Sequence, residues 1–299
     1  MYSGLVDGNL SRNQQHPHDP QSPYSPPADL VDFQLLKIHL LSVDNCSNNY
    51  FDAWAPEVRD RFVCQTLAYG KAGLWFPYTG QGQETQASSC RAYFAFHLAQ
   101  KRFRCVPVEK ILYHNGESLA DTSTILRQGK ERLGRVYVRY QNGFESWTNL
   151  NEREPWNVTL EGQEWRLPPY GWIQQRKEDW GTFRNYSVIL SRRRCQRIED
   201  KQTLLVGAPG SLVRWDDVET DGTMLLHREE TGGSRVINLD GLTLKVKAAQ
   251  LNLNPKSKQA VMHLYDLDGT PVRDGVVAIE DGWVDLSFLD QEQFARLFP

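Results

Sequence analysis

Alternation of apolar and polar positions is clearest between residues 135 and 172, RVYVRYQNGFESWTNLNEREPWNVTLEGQEWRLPPYGW. Val136, Val138 and Tyr140 alternate with Tyr137 and Arg139, Asn142-Gly143 stands where a two-residue turn is wanted, and Phe144, Ser146, Trp147 and Thr148 carry the chain back. This predicts a β-hairpin. A second one follows: Trp156, Val158 and Leu160 lead to a turn at Glu161-Gly162, and Trp165 and Leu167 return to Pro168-Pro169-Tyr170-Gly171. The Pro-Pro pair ends strand pairing, because neither residue can donate a ladder hydrogen bond.

Upstream the period changes. Residues 32–43 (DFQLLKIHLLSV) are almost continuously apolar, as a strand covered on both faces requires. Pro56 at a helix start, with Val58, Phe62, Val63, Thr66 and Leu67, gives a helical stripe that runs to about Gly73, with Gly70 and Gly73 late enough to permit close packing. Residues 83–104 predict a second amphipathic helix, with Cys90, Phe94, His97 and Leu98 at helical spacing and Lys101, Arg102 and Arg104 near its C-terminus. Residues 106–113 then read as a strand, and Asp121-Thr122-Ser123 as the cap of a short helix.

Downstream the pattern is strands only. Short apolar runs begin at Tyr186, Thr203, Leu212, Thr223, Arg235, Leu242, Ala260, Val276 and Trp283, and turn pairs such as Asp221-Gly222, Asp268-Gly269 and Asp281-Gly282 lie among them. Spacing of this kind predicts an antiparallel sandwich. Residues 291–297 predict at most a short terminal helix.

Composition narrows the partners. A net charge of -3 from 34 basic and 37 acidic residues leaves no electrostatic footprint for nucleic acid, and Arg192-Arg193-Arg194 is too short to supply one. Five cysteines without a C-x-x-C pair argue against a zinc knuckle or a disulfide framework. No apolar run approaches the roughly 20 residues that span a bilayer, and no secretory signal opens the chain, so no membrane partner is expected and the localisation stays open. No phosphate loop or G-x-S-x-G elbow occurs.

The run VYVRYQNGFESWTN with LPPYGW, preceded by YHNGESLADTS, resembles the tail that follows a catalytic (β/α)8 barrel in large bacterial glycoside-hydrolase-like proteins of the endo-α-N-acetylgalactosaminidase and α-galactosidase group. The resemblance covers residues 1 to about 200 and rests on scaffold segments. It implies an α/β part followed by an all-β part, with an irregular loop or leader at 1–28, the terminal units of an incomplete (β/α)8 barrel at 29–133 and a hairpin-rich β domain at 134–200, ahead of the β-sandwich that strand spacing predicts at 201–299. Two or three βα units fall short of the roughly 250 residues of a complete barrel. The chain is therefore expected to be the C-terminal part of a longer protein, with Met1 an internal methionine or a remnant after a frameshift. The catalytic carboxylates of the resembled family would then lie upstream, so the chain itself is expected to be inactive.

Chemistry-bearing residues are few. Asp7 and Asp44 are rim candidates only, because the ends of barrel strands are where such enzymes place their carboxylates. Asp7, His16, His18 and Asp19 have metal-like spacing but lie in a Pro-rich stretch that fixes no geometry, so neither metal nor cofactor is expected. Of nine tryptophans, Trp147, Trp156, Trp165 and Trp172 read as core, whereas Trp215 and Trp283, beside acidic turns, are the candidates for exposed platforms that stack on sugar rings. Carbohydrate is the partner class this suggests, with the oligomeric state open. A non-enzymatic module that binds a glycan or another protein is the alternative.

Overall fold

The computed structural model describes residues 43–46, 56–70, 72–75, 86–289 and 293–299. The chain divides into two compact units, one running to Ile189 apart from residues 85–87, the other made of Leu190–Pro299 with those three residues. Most of the described structure is antiparallel β-sheet.

The first unit opens with β1 (Val43–Cys46), α1 (Pro56–Ala68) and β2 (Ala72–Trp75). The two strands pair in parallel, Val43 against Ala72, which requires a crossover such as α1 between them. The apolar run at 32–42, with His39, lies outside the described residues, as do Asp7, His16, His18 and Asp19. The stripe of α1 buries Val63, Cys64 and Leu67, and the helix stops at Ala68, earlier than its pattern suggested. Gly70 terminates it with φ 65°, and a Cβ there would collide with the hydroxyl of buried Tyr140. Gly70→Ala is therefore expected to cost about 2–3 kcal/mol by adding left-handed strain and overpacking. Chemical denaturation of the single variant and of Gly70→Ala/Tyr140→Phe checks this, since removal of the hydroxyl should return part of the loss.

After α2 (Gln86–Phe103) come β3 (Val108–His114), β4 (Leu119–Ala120) and α3 (Thr122–Gln128). Asp121 caps α3 as its sequence predicts, accepting from the Thr124 amide at 2.7 Å. The hairpin pairs are β5 (Arg135–Tyr140) with β6 (Glu145–Asn149) and β7 (Trp156–Leu160) with β8 (Gln163–Leu167), followed by β9 (Trp172–Glu178) and β10 (Gly181–Leu190). Strands β3, β5, β6, β9 and β10 form one antiparallel sheet in that order, so β3 continues the sheet of the hairpins.

One face of this sheet carries Val136, Val138, Phe144, Trp172 and Phe183, all fully buried, and it meets both helices. A buried polar chain joins them. The Trp172 indole donates to Asn185 Oδ1 at 2.9 Å, and Asn185 Nδ2 donates to Gln174 Oε1 at 2.8 Å and to the Ala95 carbonyl of α2 at 3.0 Å. Cys64 on α1 lies 3.5 Å from the Gly171 carbonyl oxygen, and burial pushes its thiol pKa well up.

The opposite face is covered by the β7–β8 hairpin, whose inward side presents Trp156, Val158 and Leu167. Its turn is the two-residue one expected, with Glu161 at φ 50° and Gly162 at φ 81°. The β5–β6 turn differs. Tyr140 and Phe144 still pair, so the loop is Gln141-Asn142-Gly143, with only Gly143 left-handed at φ 79°. Asn142 Nδ2 donates to the Arg102 carbonyl instead of adopting the left-handed turn position.

The second unit is β-sandwich-like. Strands β11 (Arg193–Glu199), β12 (Thr203–Gly207), β15 (Thr223–Arg228), β16 (Ser234–Asn238), β21 (Gln293–Phe298), β18 (Gln259–Asp266) and β19 (Pro271–Glu280) pair in that order. The last two residues of β19 pair with β20 (Trp283–Asp285), which leads through β17 (Leu244–Lys247) and β14 (Val218–Thr220) to β13 (Val213–Arg214). Leu204, Met224, Val236, Val246, Val284 and Leu297 are among the fully buried residues of the unit.

The C-terminus corrects the sequence reading. In place of a short helix, Gln293–Phe298 is a strand paired on both sides, with β16 and with β18. Ala295 and Leu297 alternate into the core while Phe294, Arg296 and Phe298 face away, a period-2 pattern too short to outweigh a neighbouring helical one without its partner strands.

Candidate functional site

The residues singled out in the sequence part company here. Asp44 falls within β1, opposite Gly73, instead of beyond a strand end. Trp215 is 7% exposed and is no platform: it follows β13 and lies beside the Arg197 guanidinium, 5.7 Å from its ring centroid. Trp283 is the one that reaches solvent.

Trp283 begins β20, directly after a type I′ turn in which Asp281 and Gly282 have φ 51° and 78°. That turn brings β19 alongside and leaves the indole half-buried over an open cleft of about 450 Å³. Across the sheet runs a row of cross-strand partners, Arg214, Glu219, Lys245 and Asp285, alternating in sign. The Arg214 guanidinium sits 5.1 Å and the Lys247 ammonium 5.5 Å from the Trp283 ring centroid. Cation–π contacts at exposed sites are worth about 0.5–1 kcal/mol each, so either cation can give way to a ligand that stacks on the ring. Partial burial works to raise the Asp285 pKa, but hydrogen bonds from the Ser287 amide and hydroxyl and the Lys245 charge hold it below its ordinary value. At neutral pH it accepts hydrogen bonds and does not deliver protons.

Other charged groups are tied to one another. Glu229 accepts from Arg296 at 2.7 and 2.9 Å and from Arg235 at 2.7 Å, and the Arg296 contacts above all bring its pKa from 4.5 to about 2. A depressed carboxylate pKa contributes stability that is whole above the unfolded value and is lost as pH falls through the folded one. The melting temperature should therefore fall between about pH 4.5 and 2, and more steeply in the natural protein than in Glu229→Gln; equal slopes would count against the pairing. Among the described residues, no group of three or more His, Cys, Asp or Glu is placed to hold a metal ion, and no helix is long and apolar enough to cross a membrane.

A second cleft, of about 430 Å³, lies in the first unit between its sheet and the β7–β8 hairpin. It is lined by Arg139, Glu145, Trp147, Gln175, Lys177 and Thr182 from the sheet and by Thr159, Leu160 and Glu161 from the hairpin. Trp147 is buried, as its sequence pattern predicts, whereas nothing in that pattern singles out Glu145 and Gln175. The available signal was the polar half of the alternation, which becomes a site only when a roof is folded over it.

No protein-family model matches the chain, and no curated protein matches it.

Proposed function

We propose that this chain is a non-catalytic, carbohydrate-binding part of a carbohydrate-active protein, with the Trp283 cleft as its glycan site. The carrying observation is the half-buried Trp283 indole beside a row of alternating donors and acceptors, since sugars offer apolar C–H faces to aromatic rings and hydroxyls to charged and polar side chains. The parallel β1–α1–β2 unit is the repeat that a (β/α)8 barrel would supply, and the LPPYGW segment resembles the tail of the endo-α-N-acetylgalactosaminidase and α-galactosidase group. Those features support placing the chain behind such a barrel.

Binding is favoured over hydrolysis by the carboxylates. A glycosidase needs one carboxyl group held protonated at working pH as well as one ionised. In the Trp283 cleft, Asp285 is held toward the ionised form.

Affinity electrophoresis through gels containing soluble polysaccharides tests the reading. Retardation is expected for the natural chain, and Trp283→Ala should weaken it about tenfold or more, the loss of one good stacking contact. Retardation that survives Trp283→Ala unchanged removes the cleft from the function. Release of aryl alcohol from synthetic glycosides by the chain alone would overturn the non-catalytic reading.

A further inference from the structure

We propose that the cleft of the first unit is a separate binding site for a short neutral saccharide, which it grips by a vicinal diol between Glu145 and Gln175. It shares with the preceding reading only the chemical class of its ligand, and it stands on other residues. Register places two rows on the hairpin-facing side of the sheet. Tyr137, Trp147, Ile173 and Tyr186 form an aromatic and apolar row, and Arg139, Glu145, Gln175 and Arg184 form a polar one beside it.

The rows are coupled. The Tyr137 hydroxyl donates to Glu145 Oε1 at 2.8 Å, and the Tyr186 hydroxyl donates to Gln175 Oε1 at 2.9 Å. Burial first, and then the Glu145 carboxylate, push the Tyr137 phenol pKa far up, so Tyr137 remains a donor throughout the physiological range. Each tyrosine thereby fixes a planar group on the neighbouring strand and leaves its other end available. Glu145 keeps Oε2 as an acceptor, and Gln175 keeps its amide donors.

Glu145 and Gln175 are direct cross-strand partners, and such partners stand about 4.5–5.5 Å apart at Cβ. An acceptor and a donor at that spacing match two adjacent hydroxyls, one donating and one accepting. Trp147 lines the floor of the cleft but is buried against Tyr137, so it offers no stacking platform and the diol contacts carry the recognition.

Charge selects against ionic ligands. Arg139 lies 3.2 Å from Glu109, Lys177 2.9 Å from Glu161 and Arg176 3.9 Å from Glu178, so each of these cations has an anionic neighbour. An ordinary solvated sheet face lacks both the tyrosine hydroxyls behind the polar row and a roof over it. Here the tip of the β7–β8 hairpin supplies the roof, and Glu161–Lys177 is the ion pair that holds the tip to β9. Both partners are largely exposed, and such pairs are worth about 0–1 kcal/mol, so the roof opens at little cost.

The test is calorimetric titration of the full chain carrying Trp283→Ala, with lactose, melibiose, cellobiose, mannobiose and N-acetylgalactosamine as probes. At least one probe is expected to bind, and Glu145→Ala or Gln175→Ala in that background should weaken it about tenfold or more. Glu145→Gln keeps the size and the fold, and it should weaken binding because an amide cannot offer the same anionic acceptor. Tyr137→Phe should weaken binding to a smaller degree by freeing the Glu145 rotamer. If a probe binds the natural chain but not Trp283→Ala, the Trp283 cleft is the site and this inference is overturned. Binding to neither overturns both readings, and binding indifferent to Glu145→Ala, Glu145→Gln and Gln175→Ala overturns this one alone.

Discussion

Asp217→Ala is expected to destabilise the second unit by about 3–5 kcal/mol, the cost of stranding one partner of a buried ion pair. Arg197 donates to Asp217 through both terminal nitrogens, at 2.5 and 2.7 Å, and to Glu199 Oε2 through Nε and Nη2 at 3.1 and 2.8 Å. Gln250 Nε2 donates to the same Asp217 carboxylate at 2.5 Å, and Gln250 in turn accepts from Arg228. Burial alone would raise the Asp217 pKa, but the Arg197 hydrogen bonds outweigh it and hold the carboxylate below its ordinary value of 3.8.

Removing that carboxylate leaves the Arg197 charge buried with only Glu199 to answer it, and it frees Gln250. Trp215 reports the change directly, because its ring lies beside the Arg197 guanidinium. Urea titration followed by tryptophan fluorescence should show an earlier transition for the second unit, and a loss under about 1 kcal/mol would mean that water reaches the site and solvates the charge. Replacing Arg197 and Asp217 together by apolar residues of similar size should restore part of the loss, since the pair must recover its own desolvation cost before it stabilises anything.

Asn185→Leu is expected to cost the first unit a comparable amount, about 3–5 kcal/mol. The substitution retains volume but removes one acceptor and two donors, orphaning the Trp172 indole N–H and Gln174 Oε1 and leaving the Ala95 carbonyl only its bond within α2. Each is buried, and an unsatisfied buried polar group costs about 1–3 kcal/mol. Hydrogen exchange should locate the damage on α2 and β9, the elements that Asn185 joins. Asn185→Ser/Trp172→Phe, which removes the indole donor with its acceptor, should be milder than the sum of its single variants. Strict additivity would mean that the two residues are not energetically linked.

How much of this was legible in the residues varies element by element. The Glu161-Gly162 and Asp281-Gly282 turns were readable because a type I′ turn needs two left-handed positions, and Gly supplies the second at no steric cost. Asn142-Gly143 carries the same signal yet closes a three-residue loop, because the Asn142 side chain is drawn to the Arg102 carbonyl. Strands β9 and β11 escaped the pattern for a different reason. Their inward positions hold Gln174, Arg197 and Glu199, so a test that equates buried with apolar passes over them.

The candidate sites divide the same way. Trp215 and Trp283 look alike in the sequence, each next to acidic residues and a turn, and nothing local ranks them. Burial does: one closes over Arg197 while the other borders solvent. Hydrophobic period, capping and turn chemistry are properties of adjacent residues, so the chain alone determined that it would form two long helices and a short one, followed by a long series of hairpins. Which polar residues are buried, which tryptophan is covered, and which stretch of sheet acquires a roof depend on strands distant in the chain. These were decided only when Glu145 met Gln175, Arg197 met Asp217, and the terminal Gln293–Phe298 took its place between β16 and β18.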